Sequence, residues 1–131
     1  MICPCKSKKN YDECCRPYHT GQLTPSDALI LMKSRYSAYA LSLANYIMQT
    51  THPDHPEINK KNWDWRESIL SFSKETEFID LEILSFEEKA NEAYVTFTAS
   101  LKQQDKDISY TEKSFFEKVN EIWLYKEAEF L

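Results

Sequence analysis

The chain has 131 residues, 42% of them hydrophobic and 14% aromatic, enough for one globular domain with a core and a small appendage but not for two full domains. No apolar run approaches the roughly 18 residues of a membrane span, and the first twenty residues lack the apolar stretch of a secretory signal, so a cytoplasmic protein without membrane segments is expected. Residues 1–21 carry Lys6, Lys8, Lys9 and Arg16 against Asp12 and Glu13, whereas the remaining residues hold 12 basic and 19 acidic side chains. An acidic body repels phosphate backbones, which argues against nucleic acid as a partner except through the N-terminal segment.

All four cysteines, Cys3, Cys5, Cys14 and Cys15, fall within the first fifteen residues, an arrangement suited to holding one metal ion and poorly suited to stapling a secreted domain. Cys3 and Cys5, like Cys14 and Cys15, are too close along the chain for relaxed disulfides within each pair. Four thiolates suit a structural zinc: the tetrahedral set is closed and leaves no position for a reactive water. The nearby lysines and Arg16 offset the site's net charge and favour the thiolate form. Free thiols, or two disulfides linking Cys3 or Cys5 to Cys14 or Cys15, are the alternatives.

After this knuckle, residues 1–21, a second region from 22 to 131 opens on a helix start, with Thr24 as N-cap, Pro25 at the first helical position and Asp27 as the reciprocal acidic partner. Leu29, Met32, Tyr36, Tyr39, Leu43 and Ile47 recur at three- and four-residue steps, predicting one long, half-buried helix. The stretch Thr50–Pro56, with Pro53 and Pro56, must be a loop. A second helix is predicted from about Asn59, with Trp65, Ile69 and Phe72 on its buried face and Trp63 off that stripe.

Beyond Lys74 the period becomes two. Ile79, Leu81 and Ile83 share one side of a first strand, and Ala93, Val95, Phe97, Ala99 and Leu101 one side of a second. Strands over 108–118 and 122–130 flank a short turn at Val119–Glu121. The fold class is therefore α+β: helices packed on a curved, four-stranded antiparallel sheet. On the third strand Glu112 and Ser114 lie on the same side as Phe116, so all three face inward if Phe116 does. An inward carboxylate needs a partner, and Arg35 on the first helix is the natural one, as a structural ion pair.

The run Cys3-Pro4-Cys5-Lys6-Ser7-Lys8-Lys9-Asn10-Tyr11-Asp12-Glu13-Cys14-Cys15 resembles the SEC-C motif, a zinc knuckle also found at the C-terminus of the bacterial protein-translocase motor. Its continuation, Arg16–Gly21, with Leu31–Tyr39, Thr51-His52-Pro53, Glu112–Phe116 and Trp123-Leu124-Tyr125, is similar to the YchJ family of bacterial proteins. The resemblance implies an N-terminal SEC-C knuckle on a cone-shaped α+β domain similar to nuclear transport factor two. SEC-C knuckles usually carry glycine where this chain has Lys6, and often where it has Lys8, which predicts a differently shaped turn after Cys5. YchJ-like proteins commonly end in a second SEC-C copy, and none follows here before Leu131, which argues against a bridging role that needs two knuckles.

Two function classes compete. In the first, the knuckle is a rigid, lysine-bearing surface for protein partners, such as chaperones or ribosome-associated factors. In the second, the cone holds a small molecule, or acts as an acid–base enzyme, in a cavity lined by Tyr36, Glu112, Ser114 and Trp123, with His52 or Asp54 nearby. No nucleophile motif accompanies these residues, so no catalytic residue is assigned and binding is favoured over catalysis. His19 and His55 are expected at the surface, and neither is needed as a metal ligand.

Overall fold

In the computed structural model, which describes residues 1–59 and 62–131, a tight hairpin comes first. Ile2 faces Asn10, and the Cys3 N–H donates to the Lys9 carbonyl at 2.8 Å. Asn10 then caps a 3-10 turn over Tyr11–Glu13 by accepting the Asp12 N–H, and helix α1 follows at Arg16–His19.

Helix α2, Ala28–Ala40, is capped by Asp27, whose Oδ1 accepts the Ile30 N–H at 2.8 Å. Thr24, the expected cap, stays outside the helix; a carboxylate complements the positive N-terminus better than a hydroxyl does. The predicted long helix is also two helices. At its end the Ser42 N–H reaches the Tyr39 carbonyl (3.2 Å) and the Leu43 N–H reaches that of Ala38 (2.8 Å), a Schellman motif with Ser42 in the left-handed region at φ 60°. No glycine marks this stop, so periodicity alone ran through it. Helix α3, Ala44–Gln49, then buries Tyr46 and Ile47 against Ala38, Trp65 and Ile69.

The proline-rich loop runs into a 3-10 turn at Pro56–Asn59, and α4 spans Asn62–Glu75. The predicted start of this helix borders residues 60 and 61, which lie outside the described residues. Trp65 and Ile69 are buried and Phe72 half-buried, while Trp63, off the stripe, is 69% exposed.

The strands are β1 (Glu77–Lys89), β2 (Glu92–Gln103), the two-residue β3 (Lys106–Asp107), β4 (Tyr110–Val119) and β5 (Ile122–Phe130). All pairings are antiparallel, in the order β1-β2-β4-β5, with the short β3 added alongside β2. Bulges interrupt β1 between Phe78 and Asp80 and between Ile83 and Ser85, and β5 opposite Phe115 and Phe116. Each inserts one unpaired residue and reverses the in–out phase beyond it. Ile79 is accordingly expelled to 42% exposure, and Phe78 packs on the core in its place, a shift that strict alternation could not foresee. The same bulges curl the sheet around α2. Leu31, Val95, Leu101 and Phe116 form the sealed centre, each contributing about 1.5–3 kcal/mol by burial. No described helix is long and apolar enough to cross a membrane.

Candidate functional site

The hairpin supplies Cys3 and Cys5, and the junction of the 3-10 turn with α1 supplies Cys14 and Cys15. Cys14, at φ −121° and ψ −97°, turns the backbone so that two consecutive thiols serve one centre. The four Sγ atoms lie within 4.8 Å of one another, with Cys5 and Cys14 at 3.6 Å, and three of the four residues are buried. Sulfur ligands at about 2.3 Å in a tetrahedron stand ~3.8 Å apart, so the donor set fits one four-coordinate ion. The thiols hold their protons unequally. A hydrogen bond from Cys15 pulls Cys5 down to about 4, burial pushes Cys3 up to about 11, and Cys15 is pushed higher by its bond to Cys5 and by burial. Cys5 is thus the thiol most biased toward the thiolate, the form that binds metal.

The turn after Cys5 holds two of its lysines in conformations typical of glycine. Lys6 and Lys8 adopt φ 67° and 70°, the left-handed conformation that glycine takes without steric cost. The backbone keeps a glycine-type path and accepts the strain. All three lysines of this turn face solvent.

His19 departs from the expected surface position. Its Nε2 lies 2.7 Å from the carbonyl oxygen of Ser34 on α2, which can only accept, so Nε2 carries the proton. Nδ1 then accepts from the Tyr11 hydroxyl at 2.7 Å, and the ring packs edge-on to Tyr46. Burial pulls its pKa below the usual histidine value, consistent with a neutral imidazole pinned between knuckle and helix. Its partner on α2 is a backbone carbonyl, so the sequence carried no side-chain signal for this contact.

In the cone, α2, α4 and the inner face of the sheet enclose a cavity of about 520 Å³. Tyr36, Glu112 and Ser114 line it, as expected; His52 and Trp123 do not. His52 is held by the edge of the sheet: its N–H donates to the Tyr125 carbonyl, Nδ1 accepts from the Asp54 N–H, and Nε2 bonds Glu117 Oε1 at 2.9 Å. It is a loop-closing residue, and its bond, with that of Lys126, keeps Glu117 below the usual carboxylate range. Trp123 is packed in the core, where its Nε1 has no hydrogen-bond partner among the described residues.

The expected Arg35–Glu112 ion pair does not form as a direct contact. Because the chain breaks after α2, Arg35 is drawn to the end of α3, where Nη1 donates to the Ile47 carbonyl (3.0 Å), Thr50 Oγ1 (2.7 Å) and Thr51 Oγ1 (3.2 Å). The guanidinium also lies 4.5 Å from the ring centre of Tyr125. Glu112 accepts from Ser114 Oγ, and burial pushes its pKa up against the opposing pulls of that bond and of Arg35. Tyr39, Tyr110 and Tyr125, which the sequence reading did not assign to the pocket, also line the cavity. Tyr39 follows Arg35 by one helical turn and Tyr110 precedes Glu112 by two strand positions, so both could have been placed.

Cone and cysteine cluster together define a class: a SEC-C-type knuckle docked on a domain of the nuclear transport factor two kind. The family model for the YchJ middle domain, itself described as NTF2-like, matches residues 27–128, and the chain belongs to this family. A UPF0225 protein from Serratia proteamaculans is 32% identical over 128 residues, covering 95% of this chain and 80% of the relative. The solution structure of a SEC-C motif containing protein from Rhodopseudomonas palustris is 31% identical, with a TM-score of 0.86, and covers 100% of this chain and 99% of that one. The crystal structure of another, from Psychrobacter arcticus, is 28% identical, with a TM-score of 0.80, and covers 97% of this chain and 81% of that one.

Proposed function

We propose that the protein is a zinc-binding interaction module of the cytoplasm, in which one structural zinc held by Cys3, Cys5, Cys14 and Cys15 fixes residues 1–21 as a rigid knuckle for a protein partner. The convergence of four Sγ atoms within 4.8 Å carries the metal reading. Sulfur-only ligation of a divalent ion selects zinc over harder metals, and its closed shell makes the site structural. The ammonium groups of Lys6, Lys8 and Lys9 make no hydrogen bond or ion pair with described residues, so they are available to an acidic protein surface.

Elemental analysis with parallel thiol titration tests the metal: one zinc per chain, with thiols reactive only after chelation, is expected. Four titratable thiols without metal would overturn it. Charge reversal of Lys6, Lys8 and Lys9 to glutamate tests the surface, and an unchanged set of co-purifying proteins would count against it. The cavity of about 520 Å³ favours a second reading, in which the cone also binds a small molecule.

A further inference from the structure

Ten of the eighteen residues lining the cone cavity are aromatic, and Tyr110, Glu112 and Ser114 reach it from alternate positions of β4. Arg35, only 7% exposed, lines the cavity and spends Nη1 on the end of α3, whereas Nε and Nη2 make no hydrogen bond with described residues and are not fully buried. That free edge is the fork which matches a carboxylate with two parallel N–H bonds. The hydroxyls of Tyr39, Tyr110 and Tyr125 likewise have no hydrogen-bond partner among described residues, and all three rings line the same space. The Tyr125 ring lies against the guanidinium, 4.5 Å from its centre, and Tyr39 follows Arg35 by one turn of α2. Burial drives Glu112 toward the neutral acid, and Ser114 occupies one of its oxygens. The polar part of the cavity therefore combines a fixed guanidinium and three unbonded phenols with two carboxyl groups, Glu112, one of whose oxygens Ser114 occupies, and Glu57, so that N–H and O–H donors outnumber the acceptors, and the remainder is a slot of rings.

We infer that the cavity is a binding site for a small aromatic carboxylate, its acid group held by the free edge of Arg35 and the neighbouring tyrosine hydroxyls, its ring stacked among the aromatic walls. The volume suits a molecule of one or two rings. This inference rests on the small-molecule reading of the cone and is independent of the knuckle.

The test uses the full chain loaded with zinc and three isosteric probes, naphthoate, naphthamide and naphthylmethylamine, followed by calorimetry. Naphthoate is expected to bind one per chain. The amide should bind roughly ten- to a hundredfold more weakly, the range for loss of a charge-assisted bidentate contact. Arg35→Lys, which keeps the charge but loses the fork, should weaken naphthoate by a similar factor. Because Arg35 also anchors α3, Ser68→Trp serves as a second variant: Ser68 is an exposed lining residue on α4, so a bulky ring there should abolish binding while leaving the thermal midpoint unchanged. Binding of the amide or the amine as tightly as the acid would overturn the carboxylate class and leave the cavity reading standing. Failure of all three probes up to millimolar concentration, or naphthoate binding unaffected by Ser68→Trp, would overturn both.

Discussion

Lys6 and Lys8 occupy backbone conformations that disfavour any residue with a Cβ, and neither side chain is tied to a described residue. A left-handed L-residue costs roughly 1–2 kcal/mol, of which glycine's greater loss of freedom on folding returns about half, leaving about 1 kcal/mol at each position. Substituting lysine also removes charge beside the thiolates, so the informative comparison is between two double variants of equal charge, Lys6→Gly with Lys8→Gly and Lys6→Ala with Lys8→Ala. The glycine pair should exceed the alanine pair by about 2 kcal/mol, roughly thirtyfold in zinc affinity, because the turn must form to bring Cys3 and Cys5 to the metal. Competition against a chromophoric chelator measures it. Affinities equal within threefold would refute the reasoning, since the turn would then impose no strain on the metal site.

Asp27→Ala should cost about 1 kcal/mol in urea denaturation, whereas Thr24→Ala should change stability by no more than a few tenths, separating the observed cap from the expected one. The His19 pKa is lowered in the folded chain, so its docking contributes fully above the unfolded value near 6.5 and is lost as pH falls through the folded one. An NMR titration of the imidazole should therefore give a midpoint below 6.5, and a midpoint at or above it would contradict burial of the neutral ring. Chelation should abolish amide-exchange protection in residues 1–20 while the far-UV circular dichroism of the cone persists, because the main core cluster draws only on residues from Ala28 onward. Collapse of the whole spectrum would show that the knuckle is needed for the cone to fold.

Periodic features were legible in the sequence: the α+β class, the inward side of β4 and the stripe of Trp65 and Ile69 all follow from spacing. What spacing could not show were the places where the backbone breaks period without a glycine to announce it. Ser42 ends α2 in a left-handed conformation, and the bulges in β1 exchange Ile79 for Phe78. The first of these also decided the fate of Arg35, since a continuous helix would have carried Thr50 and Thr51 away from it. The cysteines were easy to group because ligand type and proximity coincide, but the role of His19 depends on a carbonyl fifteen residues away that carries no side-chain signature.

That imidazole changes what the stretch from Gln22 to Asp27 can do. With His19 bonded to Tyr11 on one side and Ser34 on the other, the linker determines reach but not angle. Knuckle and cone therefore present a composite surface of fixed shape, and a partner gripping both would avoid the entropy loss of arresting a loose appendage. Lengthening the linker should leave such binding intact, whereas removing one ring nitrogen should turn a rigid bracket into a tether.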